Sequence, residues 1–415
     1  MPGQSEEKPS ISIVERDQSG TVTAEYRQES QKIAKVQQAI QNDSLQAFSS
    51  SIAGLLSSRA VLQAVGFEDS NASSTAAILL SILQSSIGRV ATILFAHRLG
   101  SSLEPECKRF RFAADIFNDS ALIFDCLSPI FPKSVRVMVL CTAGTLRALC
   151  GVAGGGSKAQ LSVHFAKWGN VAELNAKDSS QETVISLIGM LAGSLVISSI
   201  TSKTASWVTM LLLIAIHLWT NYRAVKAVTM VTLNRQRANL VISTFVEKGT
   251  VLTPKDVARQ ERIFERDGVL RWSNGAIVGW AVIGTKLSSI IASTSGSGER
   301  MSLVKIAKAC PTEQYLLWFG GKLRDIRVCI CLESGCTPAA QLRAWMHGLM
   351  SAKLLSDRRS QAITDEDALQ ALIDAKHKID GIFDGFLTGL AEAGWNAEDP
   401  QLETSSGYRY EWTKP

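Results

Sequence analysis

Two long stretches without a charged residue follow each other in the middle of the chain. TVISLIGMLAGSLVISSITS fills residues 183–202, and TASWVTMLLLIAIHLWTNY fills residues 204–222, with Lys203 between them. A bilayer core about 30 Å thick is crossed by about 20 residues of apolar helix, so each stretch has the length of one span. The pair predicts a transmembrane helical hairpin. A hairpin buried in a large soluble helical domain is the alternative that the pattern leaves open.

Charge and composition agree with this interpretation. Of the 415 residues 46% are hydrophobic and 20% are charged, and the net charge of +5 contains no run of five or six like charges. Nucleic acid is therefore not expected as a partner, because binding it requires a denser basic patch. Lysines and arginines flank the hairpin on both sides, which favours a cytoplasmic position for both of its ends. The start of the chain, MPGQSEEKPSISIVERDQ, has no apolar core of a signal peptide. We expect a multi-pass protein of an intracellular membrane.

The pattern predicts a mainly α fold, a multi-helix membrane-associated bundle with a short N-terminal β-hairpin and a small C-terminal α/β domain. The hairpin is expected to turn at Asp17–Gly20. We expect an N-terminal hairpin and helix in 1–54, a helical core in 55–294, a linker in 295–302 and the α/β domain in 303–415. Within the last part, YLLWFGG and IRVCICLES are typical of strands, and Thr364–Asp367 is typical of a capped helix start.

Two pairs of glycines have the spacing that lets helices approach closely. Gly189 and Gly193 form a GxxxG motif inside the first uncharged stretch. Gly275 and Gly279 form a second one in WSNGAIVGWAVIGTKLSSIIAS (272–293). Small residues at this spacing are typical of helix packing in membranes, so we predict both pairs as packing sites.

A third glycine cluster, GVAGGGSK (151–158), comes close to a phosphate-binding loop. Gly151 and Gly156 have the required separation, but Ser157 precedes Lys158, so no hydroxyl follows the lysine to hold magnesium. Nucleotide binding is not expected here. The run instead predicts a flexible or close-packing break between two helices.

No arrangement of residues predicts catalysis, a metal or a cofactor. The eight cysteines include no CxxC pair, and only five histidines are present, so the spacing of a zinc site is missing. No nucleophile with a partnering base is recognisable. We expect a protein that is not an enzyme.

One long block of the chain resembles a known family. GTLRALCGVAGGGSKAQLSVHFAKWGNVAELNAKDSSQETVISLIGMLAGSLV (144–196) is similar to the central block of the RUS family, named for the plant root UVB-sensitive proteins. FRFAADIFNDSALIFDCLSPIFP (110–132) and NYRAVKAVTMVTLNRQRANLV (221–241) extend the resemblance, which runs from about residue 55 into the C-terminal domain.

The resemblance implies a membrane-associated eukaryotic protein. Plant members of the family are linked to seedling development, ultraviolet-B responses, vitamin B6 homeostasis and auxin transport, and two of them act as a complex in plastids. The family has no established catalytic residues, so none are carried over. The chain shows no plastid-type leader, so a plastid location is not expected from the resemblance.

Several ionisable residues lie in apolar surroundings, where they tend to face one another or a cavity. We predict a polar cavity for a small anionic or zwitterionic molecule, lined by Asp115, Asn118, Asp119, Arg147 and Lys158. The alternative is a buried ion-pair network that fixes helix register. His217 and Asn221 share one face of the second span, either for function or for interhelical hydrogen bonding.

Two functions remain open at this point. The first is a membrane protein that binds or moves a small metabolite, connected through the resemblance with vitamin B6. The second is a membrane-anchored scaffold that assembles with another RUS-family protein, with itself or with other partners.

Overall fold

The chain folds into two compact units, one helical and one built around a sheet. The helical unit comprises residues 1–97 and 107–227, and the sheet unit comprises residues 98–106 and 228–415. The computed structural model describes residues 13–16, 22–26, 33–65, 74–166, 169–200, 202–288, 290, 305–306, 309–320, 326–358, 364–405 and 407–411.

The helical unit contains six long α-helices among its described residues. They are α1 (Ile33–Val65), α2 (Ser74–Leu99), α3 (Cys107–Leu127), α4 (Lys133–Phe165), α5 (Val171–Ser199) and α6 (Lys203–Ala227). Helices α1, α3 and α6 pack against one another, α4 runs along α3, and α5 runs along α1. A small apolar core joins α1, α3 and α6, formed by Ala53, Leu56, Leu122, Met210 and Ile214.

Four helices of the described chain are long and apolar enough to cross a membrane. They occupy Ile78–Ser102, Lys133–Phe165, Val171–Ser199 and Lys203–Ala227. The last two contain the uncharged stretches recognised in the sequence, so both are helices as predicted, and each of them packs on α1. Helix α5 begins well before its uncharged stretch, because the polar turns 171–182 are helical too.

The glycine pair Gly189 and Gly193 faces α1. A Cβ atom added to Gly189 would lie 2.8 Å from Cβ of Ser51, and one added to Gly193 would lie 3.3 Å from Cα of Ile52. The missing side chains thus allow α5 to approach α1 closely enough for backbone contact.

The glycine run 151–158 does not break the chain, and the predicted break is wrong. Helix α4 continues through it from Lys133 to Phe165. Three adjacent glycines lower helix propensity by about 1 kcal/mol each relative to alanine, but packing along α3 holds the segment in place. Gly154, for example, lies against Ala114 of α3.

Among the described residues, the sheet unit includes seven strands and four helices with defined bounds. The strands are β3 (Thr232–Asn234), β4 (Val269–Arg271), β5 (Ile277–Ile283), β6 (Tyr315–Gly320), β7 (Arg327–Glu333), β8 (Asn396–Gln401) and β9 (Arg409–Tyr410). The helices are α7 (Arg235–Lys248), α8 (Pro254–Gln260), α9 (Pro338–Asp357) and α10 (Asp365–Glu392). Strands β4, β5, β7 and β6 lie side by side in that order, β9 extends along β7, and β3 pairs with β8 separately.

Pairing in the main sheet is mixed. Strands β4 and β6 are antiparallel to their neighbours, whereas β5 and β9 are parallel to β7. Helix α9 packs on this sheet and buries Trp345 and His347 completely. Helix α10 packs against α9 and begins with a capping box, in which Thr364 and Asp367 each accept the other's backbone N–H. The predicted strands β6 and β7 and this capped start are confirmed.

Gly275 and Gly279 do not form a helix-packing site, and that prediction is wrong. Gly275 adopts a φ of 82° in the turn between β4 and β5, and Gly279 lies within β5 opposite Leu270. The Asn274–Gly275 dipeptide is a strong hairpin signal, and it outweighs the apolar character of the stretch. The described part of 272–293 therefore supplies no further membrane span.

The predicted division of the chain differs from the observed one. Helix α1 runs through residue 54 without interruption, and the compact units divide after Ala227. Residues 228–283 belong to the sheet unit because their strands pair with those of the C-terminal region. The predicted linker 295–302 lies outside the described residues. At the N-terminus, β1 (Ile13–Arg16) and β2 (Val22–Tyr26) pair antiparallel, but the turn between them is not among the described residues. The hairpin as a whole stays a prediction.

Candidate functional site

The helical unit buries several ionisable side chains beside its small apolar core and exposes many large apolar side chains. Apolar side chains recur on the outward faces of α2, α5 and α6, for example Ile93, Leu191 and Leu212, which are 66, 62 and 60% exposed. Carboxylates of α3 are buried instead: Asp115 is 6% and Asp119 is 2% exposed. Buried polar groups are retained only where they find partners, so these partners define the candidate site.

Asp115 is held by side chains from three helices. Its Oδ2 atom accepts a hydrogen bond of 2.8 Å from Nε2 of Gln46 on α1 and another from the Asn221 amide on α6. Its Oδ1 atom accepts from Nη1 of Arg111, one turn earlier on α3, at 3.1 Å. The side chain of Arg111 is 29% exposed, so the group reaches the surface of the helical unit along α3.

Asp119 lies one turn further along α3 and pairs with a buried histidine. Its Oδ2 atom is 2.8 Å from Nδ1 of His217 on α6, and both side chains are almost fully buried. Its Oδ1 atom accepts a long hydrogen bond of 3.4 Å from the amide of Asn118. Asp115 and Asp119 thus line one face of α3, and α6 presents His217 and Asn221 to that face with the same four-residue spacing.

Arg147 belongs to a second polar cluster further along α3. It pairs with Asp125, which is 1% exposed and also accepts a 2.7 Å hydrogen bond from Oγ of Ser57. This cluster joins α1, α3 and α4. Arg147 therefore meets Asp125, whereas Asp115 and Asp119, its expected neighbours in the predicted cavity, have other partners.

Lys158 is not part of the buried site, and its predicted place in the cavity is wrong. Its Nζ atom lies 2.6 Å from Asp178 and 3.2 Å from Glu182, and all three side chains are at least 40% exposed. Helix α4 continues past the glycines, and this carries Lys158 alongside the first turns of α5 rather than towards α3.

The site that the structure assembles is therefore Asp115, Asp119, His217 and Asn221, with Gln46 and Arg111 beside them. Its buried atoms can accept hydrogen bonds at the carboxylates and exchange a proton at His217. Arg147 and Lys158, the two cations of the predicted anion site, are not part of it. The four-residue spacing of each pair can be read from the sequence, but Gln46 gives no signal of its own, because a single glutamine in a polar helix is common.

The sheet unit contains a second buried histidine. Nε2 of His347 lies 2.9 Å from the carbonyl oxygen of Leu372, so this nitrogen is the donor, and Nδ1 accepts from the Tyr315 hydroxyl at 3.0 Å. Burial lowers the pKa of His347 to about 4 and raises the pKa of Tyr315 well above its usual value. Both groups are neutral and internally satisfied, which is typical of a structural pair.

The cysteines of the sheet unit are equally inert. Burial raises the pKa of Cys331 to about 12 and that of Cys310 to about 11, so neither is a thiolate at neutral pH. Across the ranges that the structure describes, no cluster of three or more His, Cys, Asp or Glu is arranged to hold a metal ion.

Comparisons with known families match almost the whole chain. The model of a vitamin B6 photo-protection and homoeostasis domain matches residues 37–249, and the model of the C-terminal region of root UVB sensitive proteins matches residues 250–412. No solved structure matches the chain significantly.

Individual relatives agree with the family models. Protein root UVB sensitive 3 of Arabidopsis thaliana is 31% identical over 379 residues, which are 89% of this chain and 80% of that protein. RUS family member 1 of Dictyostelium discoideum is 38% identical over 225 residues, which are 53% of this chain and 43% of that protein. Protein root UVB sensitive 2, chloroplastic, of Arabidopsis thaliana is 26% identical over 369 residues, which are 89% of this chain and 79% of that protein.

Proposed function

The chain belongs to the RUS (root UVB sensitive) family, and from that premise we propose that it is a non-enzymatic, multi-pass protein of an intracellular membrane that binds or moves a small polar metabolite. The observation that carries the proposal is the distribution of polarity in the helical unit, which exposes many large apolar side chains and buries Asp115, Asp119 and His217. Soluble proteins bury apolar residues and expose charges, so this arrangement favours lipid as the surroundings.

Four candidate spans support the membrane placement. Large apolar patches on a protein in water mark a contact with something else, and here they cover several helices rather than one site. The alternative of a soluble helical domain would require another protein to cover α2, α5 and α6 together.

The ligand chemistry follows from the groups in the site. Two carboxylates and a histidine favour a molecule that donates hydrogen bonds or carries a positive charge, such as a protonated amine or ring nitrogen. Vitamin B6 compounds have a pyridine nitrogen, and aspartate is one of the protein partners of that nitrogen in enzymes that use the phosphorylated vitamin. Residues 37–249 match the model of a vitamin B6 photo-protection and homoeostasis domain. We therefore propose a vitamin B6 compound as the ligand.

Membrane placement is tested by extraction. Membranes that contain the full-length protein are washed with alkaline carbonate and, separately, with a mild detergent. We expect the protein to stay in the pellet with carbonate and to be solubilised by detergent. Release by carbonate would contradict the placement and with it the proposed site.

Ligand binding is tested on the detergent-purified full-length protein. Binding of radiolabelled pyridoxine, pyridoxal and pyridoxamine is measured for the wild type, for Asp119→Asn and for Glu182→Gln. Glu182 is an exposed acid that pairs with Lys158, so its variant controls for loss of a negative charge outside the site. We expect Asp119→Asn to weaken binding at least tenfold and Glu182→Gln to leave it unchanged. Equal binding by all three proteins, or no binding by any of them, would refute the ligand assignment.

The two glycine pairs do not support the alternative function, a scaffold that assembles with a partner. Gly189 and Gly193 are occupied by α1 of the same chain, and Gly275 and Gly279 lie in a hairpin. Neither pair offers a free face for a partner helix. Assembly with a partner would therefore use another surface of the protein.

A further inference from the structure

Helix α2 carries an arginine at the middle of its apolar span. Arg89 lies eleven residues after Ile78 and thirteen residues before Ser102, the two ends of the candidate span. At 1.5 Å per residue, about 16 Å of helix separates it from the nearer end. A side chain that bends towards the headgroups shortens this distance but does not close it.

The packing of α2 directs Arg89 away from the rest of the bundle. On one side of α2, Gly88 is buried, and a Cβ atom added to it would lie 3.3 Å from Cβ of Ala148 on α4. Consecutive residues of a helix are about 100° apart, so Arg89 points to the flank of this contact. Arg89 is exposed, and the described part of the chain gives its guanidinium neither a hydrogen bond nor an ion pair.

An unpaired guanidinium at this depth is incompatible with plain lipid as the only neighbour. Charged residues within membrane helices are strongly unfavourable there and pair with an opposite charge or line a water-filled cavity. Arg147 shows the paired solution in the same unit, because it meets the buried carboxylate of Asp125. Arg89 lacks such a partner within the described chain.

We propose that the flank of α2 around Arg89 docks a transmembrane helix of a different protein, and that this helix carries a carboxylate near the middle of its span. The inference rests on the proposed membrane placement and goes beyond the proposed metabolite site. Ser85 and Ser86, one turn before Arg89, are exposed and small, so a second helix can approach closely there.

A second copy of this chain cannot supply the carboxylate. The four candidate spans contain only three acidic residues, Glu173, Asp178 and Glu182, all in the first turns of α5 and before its uncharged stretch. Each already pairs with a lysine of its own chain, Lys177 or Lys158. The charge therefore has to come from another protein, whose span places an acid at mid-depth.

The test uses a synthetic transmembrane helix as the probe. Full-length protein with a donor fluorophore is reconstituted into phosphatidylcholine vesicles together with an acceptor-labelled leucine-rich peptide of 21 residues or so, about one span long. One peptide carries a single Glu at its centre, a second carries Gln there and a third carries Lys. Energy transfer is titrated for the wild type, Arg89→Gln, Arg89→Glu and Arg98→Gln, the last being an exposed arginine at the end of α2.

We expect the wild type and Arg98→Gln to bind the Glu peptide about tenfold more tightly than the Gln peptide, a difference typical of one interhelical hydrogen bond to a charge. Arg89→Gln is expected to lose this preference, and Arg89→Glu is expected to prefer the Lys peptide. Equal binding of the Glu and Gln peptides by the wild type, or an unchanged preference in Arg89→Gln, would overturn the proposal.

Each reconstituted sample is also washed with alkaline carbonate. Retention in the vesicles without a preference for the Glu peptide refutes the docking inference alone. Release from the vesicles refutes the membrane placement, and the docking inference is then refuted with it.

Discussion

Nδ1 of His217 on α6 lies 2.8 Å from Oδ2 of Asp119 on α3, and both side chains are almost fully buried. This pair ties two helices that are far apart in the sequence. One turn away on both helices, Asn221 and Asp115 make the same connection a second time. The two contacts fix how α6 is rotated against α3, and they place the polar site between these helices.

Removal of either member of the His217–Asp119 pair should lower the stability of the protein strongly. Removal of one partner leaves the other polar group buried without its counterpart, which costs about 3–5 kcal/mol of unfolding free energy. We expect Asp119→Ala and His217→Ala each to fall in this range. The double variant should cost less than the sum of the two, because it leaves no orphaned partner. Chemical unfolding in mixed detergent micelles measures all three, and strict additivity would contradict a direct interaction.

The glycines of the helical unit should respond in opposite ways to alanine. At Gly189 the new Cβ atom would lie 2.8 Å from Cβ of Ser51 and 3.1 Å from the Phe48 carbonyl oxygen, so α5 would have to move away from α1. We expect Gly189→Ala to destabilise the protein by about 1–3 kcal/mol. At Gly151 of α4 nothing lies within 4 Å of the new atom, so Gly151→Ala should stabilise by about 0.5–1 kcal/mol through helix propensity. Thermal unfolding of both variants in detergent tests the ranking, and the opposite order would refute the packing account.

Lys158 should matter little for stability or for the proposed ligand. Its pairs with Asp178 and Glu182 involve side chains that are at least 40% exposed, and exposed ion pairs contribute about 0–1 kcal/mol. Lys158→Met is therefore expected to change the unfolding free energy by less than about 1 kcal/mol and to leave vitamin B6 binding intact. A loss of binding as large as that of Asp119→Asn would contradict this prediction and show that Lys158 takes part in ligand binding.

The stability of the sheet unit should fall in acid because of His347. Burial lowers the pKa of His347 to about 4 in the folded protein, from 6.5 in the unfolded chain. Only the unfolded chain takes up the proton between these values, so the stabilisation is complete above pH 6.5 and is lost as the pH falls towards 4. The loss amounts to about 3 kcal/mol at the acid end.

His347→Gln provides the control for this prediction. Glutamine can still donate to the Leu372 carbonyl and accept from Tyr315 but does not titrate. Urea unfolding of the full-length protein, followed by tryptophan fluorescence from pH 7 to pH 4, should show a flatter pH dependence in the variant. The same slope in both proteins would assign the effect to other groups.

Local patterns in the sequence predicted several of the elements. Uncharged length predicted α5 and α6, strand-like runs predicted β6 and β7, and the Thr364–Asp367 cap predicted the start of α10. These signals lie within one element and depend on its own residues. The failures lie where composition was ambiguous: the apolar stretch 272–293 resembled a helix but contains the Asn274–Gly275 turn of a hairpin.

The candidate site shows the same division. Sequence alone determined that Asp115 and Asp119 share one face of a helix and that His217 and Asn221 share one face of another, because helical spacing fixes both. Only the tertiary structure decided that these two faces meet, that Arg147 meets Asp125, and that Lys158 of α4 lies outside the site, beside the first turns of α5. The physical reason is that spacing fixes neighbours along one helix, whereas the pairing of helices depends on how all of their surfaces pack, including the glycines that bring α5 onto α1.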